Sequence, residues 1–528
     1  MARAGSRQRT GSRAVVGLVA VAALTLSACG GGSDDEAADT SGGGQAITDL
    51  VVDVQNEPDS LDPFYRNNEM AQRFYRLTYS ALLSTNEDGT FSPDLAAELP
   101  EVSDDRKTYR ITLRDDVTFH DGSSFDAEDV VFTYEQAAAE ENGAVWRSAL
   151  GFMESIEAED EHTVVLRLSE PYAFMESRLA LIPILSSEEP YATNDTYAQR
   201  ENGTGPYQLE ELARGSKIVL ARYDGYHGET PPFETITFAL VPEDSSRIAR
   251  LTNGDTHLVP ELPLNQIQNV KERGQNAEAI AGNISRIYMY TSQLETRPTS
   301  NTDFRLALAW ALDRQAIIDN VYAGNARPNS TYLTYGTLYH DEELGLHFGS
   351  KPDLDKARSH LEAAGGAPDR PLEMIVFDRP DLRNVATIVQ ANLAELGIES
   401  EVTIADVAGF FGPLVSGEYD VLLYNSPATT SSGLAPDYVN GGLNSTSANN
   451  FSKFSDPEMD QLLHHAITAP EAEQAEAWKA VQQRDVETQG HIQIVAAQNA
   501  MAWSTDLTGF VPSKFLWFNT LLDVENGD

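Results

Sequence analysis

Apolar and polar residues alternate with a period of two over Ile47–Val54, Thr108–Leu113, Thr163–Leu168, Tyr207–Leu212, Ser216–Arg222 and Thr235–Leu240, a pattern that predicts short half-buried strands. Between the first two, residues 70–83 carry apolar positions at helical spacing, and Asn86-Glu87-Asp88-Gly89 predicts a turn. Asp126, followed by Glu128 and Asp129, predicts a capped helix from Ala127 to about Glu141. A short helix over Asp244–Leu251 stops at Asn253-Gly254-Asp255, and Ser285–Tyr290 is an apolar-rich strand. Near residue 300 the character changes. Asp303–Tyr322 reads as one long helix, Asp355–Ala364 as a helix closed by Gly365-Gly366, and Val385–Leu396 as a helix ended by Gly397. Strands at Leu372–Phe377, Ser400–Ile404 and Asp420–Tyr424 stand between and after these helices, a β-α-β series that predicts an α/β domain. Helices at Pro457–Ile467 and Ala469–Thr488 precede a strand at Ile492–Ala497, with strand character again around Phe515–Leu522. Strands, a helix-rich block and strands again predict that the two ends of the chain share one domain, with another inserted between them.

The first 28 residues depart from these patterns. Arg3, Arg7, Arg9 and Arg13, with no acid, precede an apolar run over Ala14–Leu26 and then small residues. That order predicts an export signal over residues 1–28, too short for a membrane span. Leu26-Ser27-Ala28-Cys29 contains the one cysteine of the chain and resembles a bacterial lipobox. The resemblance implies lipidation of Cys29 and cleavage before it, the two-chain anchoring that holds a protein at a membrane. Residues 29–46 are rich in glycine, serine and acid and predict a flexible linker.

Charge narrows the partners. With 37 basic and 81 acidic residues the formal net charge is −44, and loss of the arginine-bearing leader makes it more negative. Such a field repels nucleic-acid backbones, and no basic run offsets it.

Candidate chemistry is sparse. Gly203-Thr204-Gly205 lacks the following helix and lysine of a phosphate loop, and Pro206 removes an amide. His120-Asp121-Gly122 reads as a structural histidine beside a turn, with Asp121 and Asp129 holding backbone amides. Arg305 and Asp313-Arg314 read as a structural ion-pair set. His340, His464 and His465 make no persuasive metal site, so no metal or cofactor is expected. Among 81 acids a carboxylate pair occurs at any spacing by chance, and no catalytic constellation is present, so the chain reads as a non-enzyme.

The stretches Tyr109–Gly122 and Asp126–Phe132 resemble the signature of the extracellular solute-binding proteins of ABC importers for peptides, nickel and related solutes (family 5). Leu61-Asp62-Pro63, Gly203–Tyr207, Arg305–Arg314, Asp355–Arg358 and Phe454–Asp460 follow in that family's order. The resemblance implies an α/β, bilobed periplasmic-binding-protein-like fold (type II, cluster C-like). Its first lobe would comprise residues 47–84, 191–294 and 493–528, with an extra domain inserted at 85–190, and its second lobe residues 295–492. Connecting strands near Ser285–Ser292 and Ala496–Trp503 would form the hinge. It further implies a monomeric receptor on the outer face of the cell membrane, handing a small-molecule or peptide solute to an ABC permease and its ATPase subunits. Within the fold, an oligosaccharide, an opine-like compound or a metal chelate is an alternative solute, and a surface receptor without transport an alternative role.

In peptide-binding members the strand matching Asp420–Tyr424 leads to a glycine-tryptophan pair and an aspartate that receives the peptide amine. Here the pair is Tyr424-Asn425, with no acid until Asp437. Asp437 either supplies that charge from another loop position or is a surface turn residue before Tyr438. Candidate cleft residues by position are Tyr65, Asn67, Tyr288, Tyr290, Phe411, Asn425, Asp437 and Trp503, with Asn425 foremost because a strand end facing a cleft leaves its amide available.

Overall fold

The computed structural model describes residues 47–58, 60–64, 69–139, 150–188, 191, 201–427, 436–514, 519–522 and 524. In chain order the first part runs β1 (Asp49–Val54), α1 (Glu69–Thr78), β2 (Leu83–Thr85), β3 (Phe91–Pro93), β4 (Glu101–Val102), β5 (Thr108–Thr112), α2 (Ala127–Ala138), β6 (Met153–Asp160), β7 (Thr163–Leu168), α3 (Met175–Leu181), β8 (Tyr207–Ala213), β9 (Lys217–Arg222), β10 (Thr235–Leu240), α4 (Asp244–Asn253), β11 (Leu258–Val259), α5 (Ile267–Glu272) and β12 (Asn276–Thr291). The remainder is α6 (Thr302–Ala311), α7 (Arg314–Asn320), β13 (Ala326–Pro328), α8 (Glu342–Gly345), α9 (Leu354–Ala363), β14 (Leu372–Phe377), α10 (Pro380–Glu395), β15 (Ser400–Ala405), α11 (Val407–Ser416), β16 (Val421–Pro427), α12 (Pro436–Leu443), α13 (Pro457–Thr468), α14 (Glu471–Thr488) and β17 (His491–Trp503).

One eleven-stranded sheet organises the chain, in the order β15-β14-β16-β12-β17-β11-β1-β10-β9-β8, with β13 paired to β17. Its long central pair, β12 and β17, is antiparallel and common to both halves. At one end β1, β10 and β11 form a parallel group, and at the other β14, β15 and β16 form a second. A separate four-stranded antiparallel sheet, β4-β5-β7-β6, carries α2.

Several local expectations meet the coordinates directly. Asp126 caps α2 through the Glu128 amide, and Asp129 closes the capping box by accepting from the Asp126 amide. The second Asp129 oxygen accepts from the Ser187 amide at 2.7 Å, tying the helix to the chain beyond α3. Buried His120 bridges Glu201 (2.8 Å) and the Gly205 carbonyl (3.0 Å), and Asp121 accepts from Ser123 and Asn202, so this motif braces the GxG turn. That turn needs its glycines: a Cβ at Gly203 or Gly205 would fall within 2.5 Å of the Thr78 backbone.

Other expectations are corrected. The predicted helix over residues 70–83 ends at Thr78, and Leu83 already belongs to a hairpin. Asp303–Tyr322 is two helices: Leu312 turns to an extended conformation (ψ 125°), and Asp313 caps α7 through the Ala316 amide at 2.8 Å. The arginines there make no ion-pair set. Buried Arg305 donates to the carbonyls of Thr299, Ser300, Thr488 and Gln489, and Arg314 to those of Ala309 and Gln493. Burial pulls their pKa values down, to about 10 and about 9, yet both stay charged at neutral pH. Where the sequence predicts only an apolar-rich strand over Ser285–Tyr290, the strand runs from Asn276 to Thr291. In the region of predicted strand character at 515–522, residues 515–518 lie outside the described residues and Asn519–Leu521 is a single 3-10 turn.

Candidate functional site

The register of the central pair locates the site. Leu258 and Val259 of β11 face Trp503 and Ala502 of β17, which in turn face Asn276 and Ala277 of β12, so the first parallel group points along β12 toward its middle. On β16, Val421 faces Thr291 and Pro427 faces Ser285, so the second group also points toward that middle, from the opposite end. The carboxyl ends of both parallel groups therefore converge on one crossing point, the position where open α/β sheets bind ligands.

The crossing itself is irregular. Ala279 to Ile284 on β12 spans the same stretch of ladder as Ala500 to Gln498 on β17, a bulge with Gly282 at φ +84°. Asn499 donates to Asn283 at 2.7 Å and accepts from the Ser285 hydroxyl at 3.2 Å across it. Ser285–Thr291 pairs with β16 throughout, so the irregular stretch Ala279–Ile284 lies just ahead of the Ser285–Ser292 segment that the family resemblance implies as part of the hinge.

Around this floor the second half contributes an aromatic wall. The Tyr424 ring lies 5.6 Å from Phe377, 5.1 Å from Phe410 and 6.4 Å from Phe411, and Phe411 is 40% exposed. Asn425, half-buried, follows Tyr424, and the ladder from β14 stops at Val376–Leu423. From Asn425 to Pro427, β16 thus has a strand neighbour on one side only among the described residues. At the adjacent end of β14 stands Arg379, which sequence reasoning missed. It pairs with Asp381 at 3.1 Å, and Asp381 accepts from the Tyr322 hydroxyl at 3.3 Å. Desolvation works against the Arg379 charge, but Asp381, Tyr322 and Glu261 outweigh it and hold the proton more tightly than usual. Glu261 belongs to the other half, just past β11, and bonds Arg73 of α1 at 2.9 Å. A signal for Arg379 was present: it directly precedes Pro380 at a strand-to-helix junction, where parallel strands present ligand groups.

Beneath the wall lies a buried polar layer. The Arg286 guanidinium sits 4.0 Å from the centre of the Tyr332 ring and donates to the Tyr332 carbonyl (3.1 Å) and Ser426 hydroxyl (2.9 Å). Asp485 accepts from the Tyr332 amide at 2.7 Å, and burial pushes its pKa up to about 7 despite that bond and Arg286. Burial and Arg286 pull His491 down to about 3, so it is neutral at physiological pH.

The positional candidates separate accordingly. Phe411 packs against the Tyr424 ring, whereas Asn425, the next residue of β16, lies opposite Ile287 and so on the other face of the sheet. Tyr288 and Tyr290 lie underneath, 1% and 6% exposed, their hydroxyls 3.0 Å apart and their rings against His491. Trp503 is not brought to them: it faces Asn276, whereas Asn425 faces Ile287, on the order of 30 Å along β12 at about 3.3 Å per residue. Its ring packs against Phe510 instead. Tyr65 and Asn67 lie outside the described residues, and although Asp437 is in the first turn of α12, its side chain is outside them too. The Leu61-Asp62-Pro63 motif has a visible task in the loop after β1: Asp62 accepts from the Phe64 amide at 2.8 Å and from the Tyr191 hydroxyl at 3.2 Å.

Two parallel groups aimed at each other across a pair of shared strands define a bilobed α/β binding fold. Among the described residues no group of three or more His, Cys, Asp or Glu gathers as a metal site. Residues 90–450 match the bacterial extracellular solute-binding proteins, family 5 (middle region), and the chain belongs to that family. It is 24% identical over 491 residues to the "Probable D,D-dipeptide-binding periplasmic protein DdpA" of Escherichia coli K12, covering 90% of this chain and 92% of that one. The glutathione-binding protein GsiB of Salmonella paratyphi A is 27% identical over 483 residues, covering 88% and 92%. Among solved structures, the oligopeptide-binding protein AppA of Bacillus subtilis, in complex with a nonapeptide, superposes with a TM-score of 0.78 at 20% identity, covering 90% and 99%.

Proposed function

We propose that this chain is the extracytoplasmic receptor of an ABC importer that captures an oligopeptide or peptide-like solute at the crossing and delivers it to a permease driven by ATPase subunits. The observation that carries this reading is the carboxyl end of β16, where, among the described residues, Asn425–Pro427 has a strand neighbour on one side only, next to an aromatic wall. An extended peptide adds to such an edge through its backbone, while neighbouring pockets sort its side chains. Asn425 and Phe411 are the contacts proposed from this half, with Arg379 facing a charged or polar group of the solute. Asp437, Tyr65 and Asn67 remain proposed contacts from the adjoining loops. Relatives named for a D,D-dipeptide and for glutathione support a peptide-like solute.

The finer architecture belongs to the same proposal. The β12 and β17 crossings act as the hinge of a type II, cluster C-like body, residues 85–190 form an extra domain of the first lobe, and the receptor works as a monomer. Cys29 carries the lipid anchor, which the leader Arg3–Ala28 supports.

Calorimetric titration with a tetrapeptide library tests the reading. Stoichiometric binding without turnover is the expected result, with Asn425→Ala and Phe411→Ala each weakening affinity about tenfold, or about 1.4 kcal/mol. Absence of binding by any member of the library to the folded protein would sink it.

A further inference from the structure

The halves of the molecule touch a second time, away from the crossing strands. The segment joining β7 to α3 leaves the four-stranded sheet, and a file of rings runs along it: Phe152, just ahead of β6, stacks on Tyr172 at 4.7 Å, Tyr172 meets Phe174 edge-on at 6.0 Å, and Phe174 lies 6.1 Å from Trp478 of α14. Beside them the Ala173 amide donates to the Ile467 carbonyl in the last turn of α13 at 2.9 Å. Phe174, Leu463, Ile467 and Trp478 are all at most 4% exposed and share one apolar cluster. Outside this file Glu170 and His464 stand 3.5 Å apart on the surface.

The two sides of this contact are rooted in different halves. The four-stranded unit is tied to the β1 side of the sheet, where the Leu95 amide bonds the Ala81 carbonyl and the His120 amide the Gly203 carbonyl. The α14 helix belongs to the β16 side: Asp485 holds the Tyr332 amide, and Val486 joins the core beneath β12 and β17. Any rotation about the Ala279–Ile284 bulge that parts the carboxyl ends must therefore strain this contact. The backbone bond and the ring pair sit in an apolar cluster that also takes in Met175, Ala466 and Val481, rimmed by an exposed ion pair, so opening would expose this apolar surface and closing would bury it.

We propose that Ala173–Phe174 and Ile467–Trp478 form a latch, made when the cleft is closed and broken when it opens, so that this remote contact sets the balance between the two states and the rate of solute release. The four-stranded unit is then a working part of closure. The inference rests on the receptor reading above, since it assigns that site its closing device.

Two experiments test it, both in a Cys29→Ser background so that no other thiol is present. In the first, Phe174→Ala is compared with the parent by small-angle X-ray scattering of ligand-free protein. A larger radius of gyration is expected, with at least fivefold faster release of any tetrapeptide bound. An unchanged scattering profile overturns the latch. In the second, Ala173→Cys with Thr468→Cys is oxidised. The bridged protein is expected to show no scattering change on adding tetrapeptide and at least tenfold slower release, both reversed by dithiothreitol. A bridged protein that opens and releases like its reduced form overturns the proposal. Scattering of the ligand-free Phe174→Ala protein reads the latch without any solute, so a library that fails to bind would refute the receptor reading while leaving the latch decided by its own result.

Discussion

The two faces of β12 and β17 on the β16 side are built from alternate residues of the same strands, yet they are opposite in kind. One face presents Ile287, Met289, Ile492 and Ile494 to a core completed by α6, α7 and α10. The other presents Arg286, Tyr288, Tyr290, His491 and Gln493, all at most 6% exposed. Period-two geometry makes this division possible, since each residue changes sides from its neighbour. The apolar face gains by burial alone. The polar face must find partners for every donor and acceptor, and there both ring nitrogens of His491, both amide atoms of Gln493 and one oxygen of Asp485 have no hydrogen-bond partner among the described residues. The lesson is that one face carries stability, while the other, directly beneath the end of β16, sacrifices some of it where the solute is proposed to sit.

The largest effect should come from the apolar face. Ile494→Ala removes a fully buried side chain and should cost about 3 kcal/mol in denaturant unfolding, with affinity for solute unchanged. A cost below about 1 kcal/mol would break the comparison on its stable side. Next comes Asp485→Asn. Because the folded pKa of about 7 lies above the usual carboxylate value, the unfolded state loses its proton first, and stability falls as pH rises from about 4 to about 7. The asparagine keeps an acceptor for the Tyr332 amide, so the variant should be more stable by about 2 kcal/mol at pH 8 and show no gain at pH 4. Destabilisation at pH 8 would show that the ionised carboxylate supports the polar face. The smallest effect is a surface control: Lys351→Ala breaks an exposed 3.2 Å pair with Asp313 and should shift stability by no more than about 0.5 kcal/mol.

Much of the fold was legible because its signals are local. Asp126, Glu128 and Asp129 announce the start of α2, and the alternation in Thr108–Leu113 and Thr163–Leu168 marks two strands that do pair. The breaks were less visible. Leu312 suits the interior of a helix as well as a buried link, so only the Asp313 cap reveals two helices. The first half of β12, Asn276–Asn283, mixes alanine, glycine and polar residues without alternation because it bridges two environments instead of lining one core. At the proposed site, position along the chain suggested Asn425 and Phe411 but could not tell that Tyr288 and Tyr290 lie buried underneath. An aromatic residue on a strand looks the same in sequence whether it faces a core or a cleft.

By itself the sequence determined the α/β class and the family signature around Tyr109–Gly122, and it led to the expectations of an export leader over residues 1–28 and of no nucleic-acid partner, because each rests on spacing, composition or net charge along the chain. Tertiary structure alone decided that two parallel groups aim at one bulge, that Trp503 lies far from Asn425, and that Phe174 meets Trp478 from the other half of the molecule. Those facts depend on strand register and on contacts between residues hundreds of positions apart, and no local pattern encodes which distant partner a buried face will find.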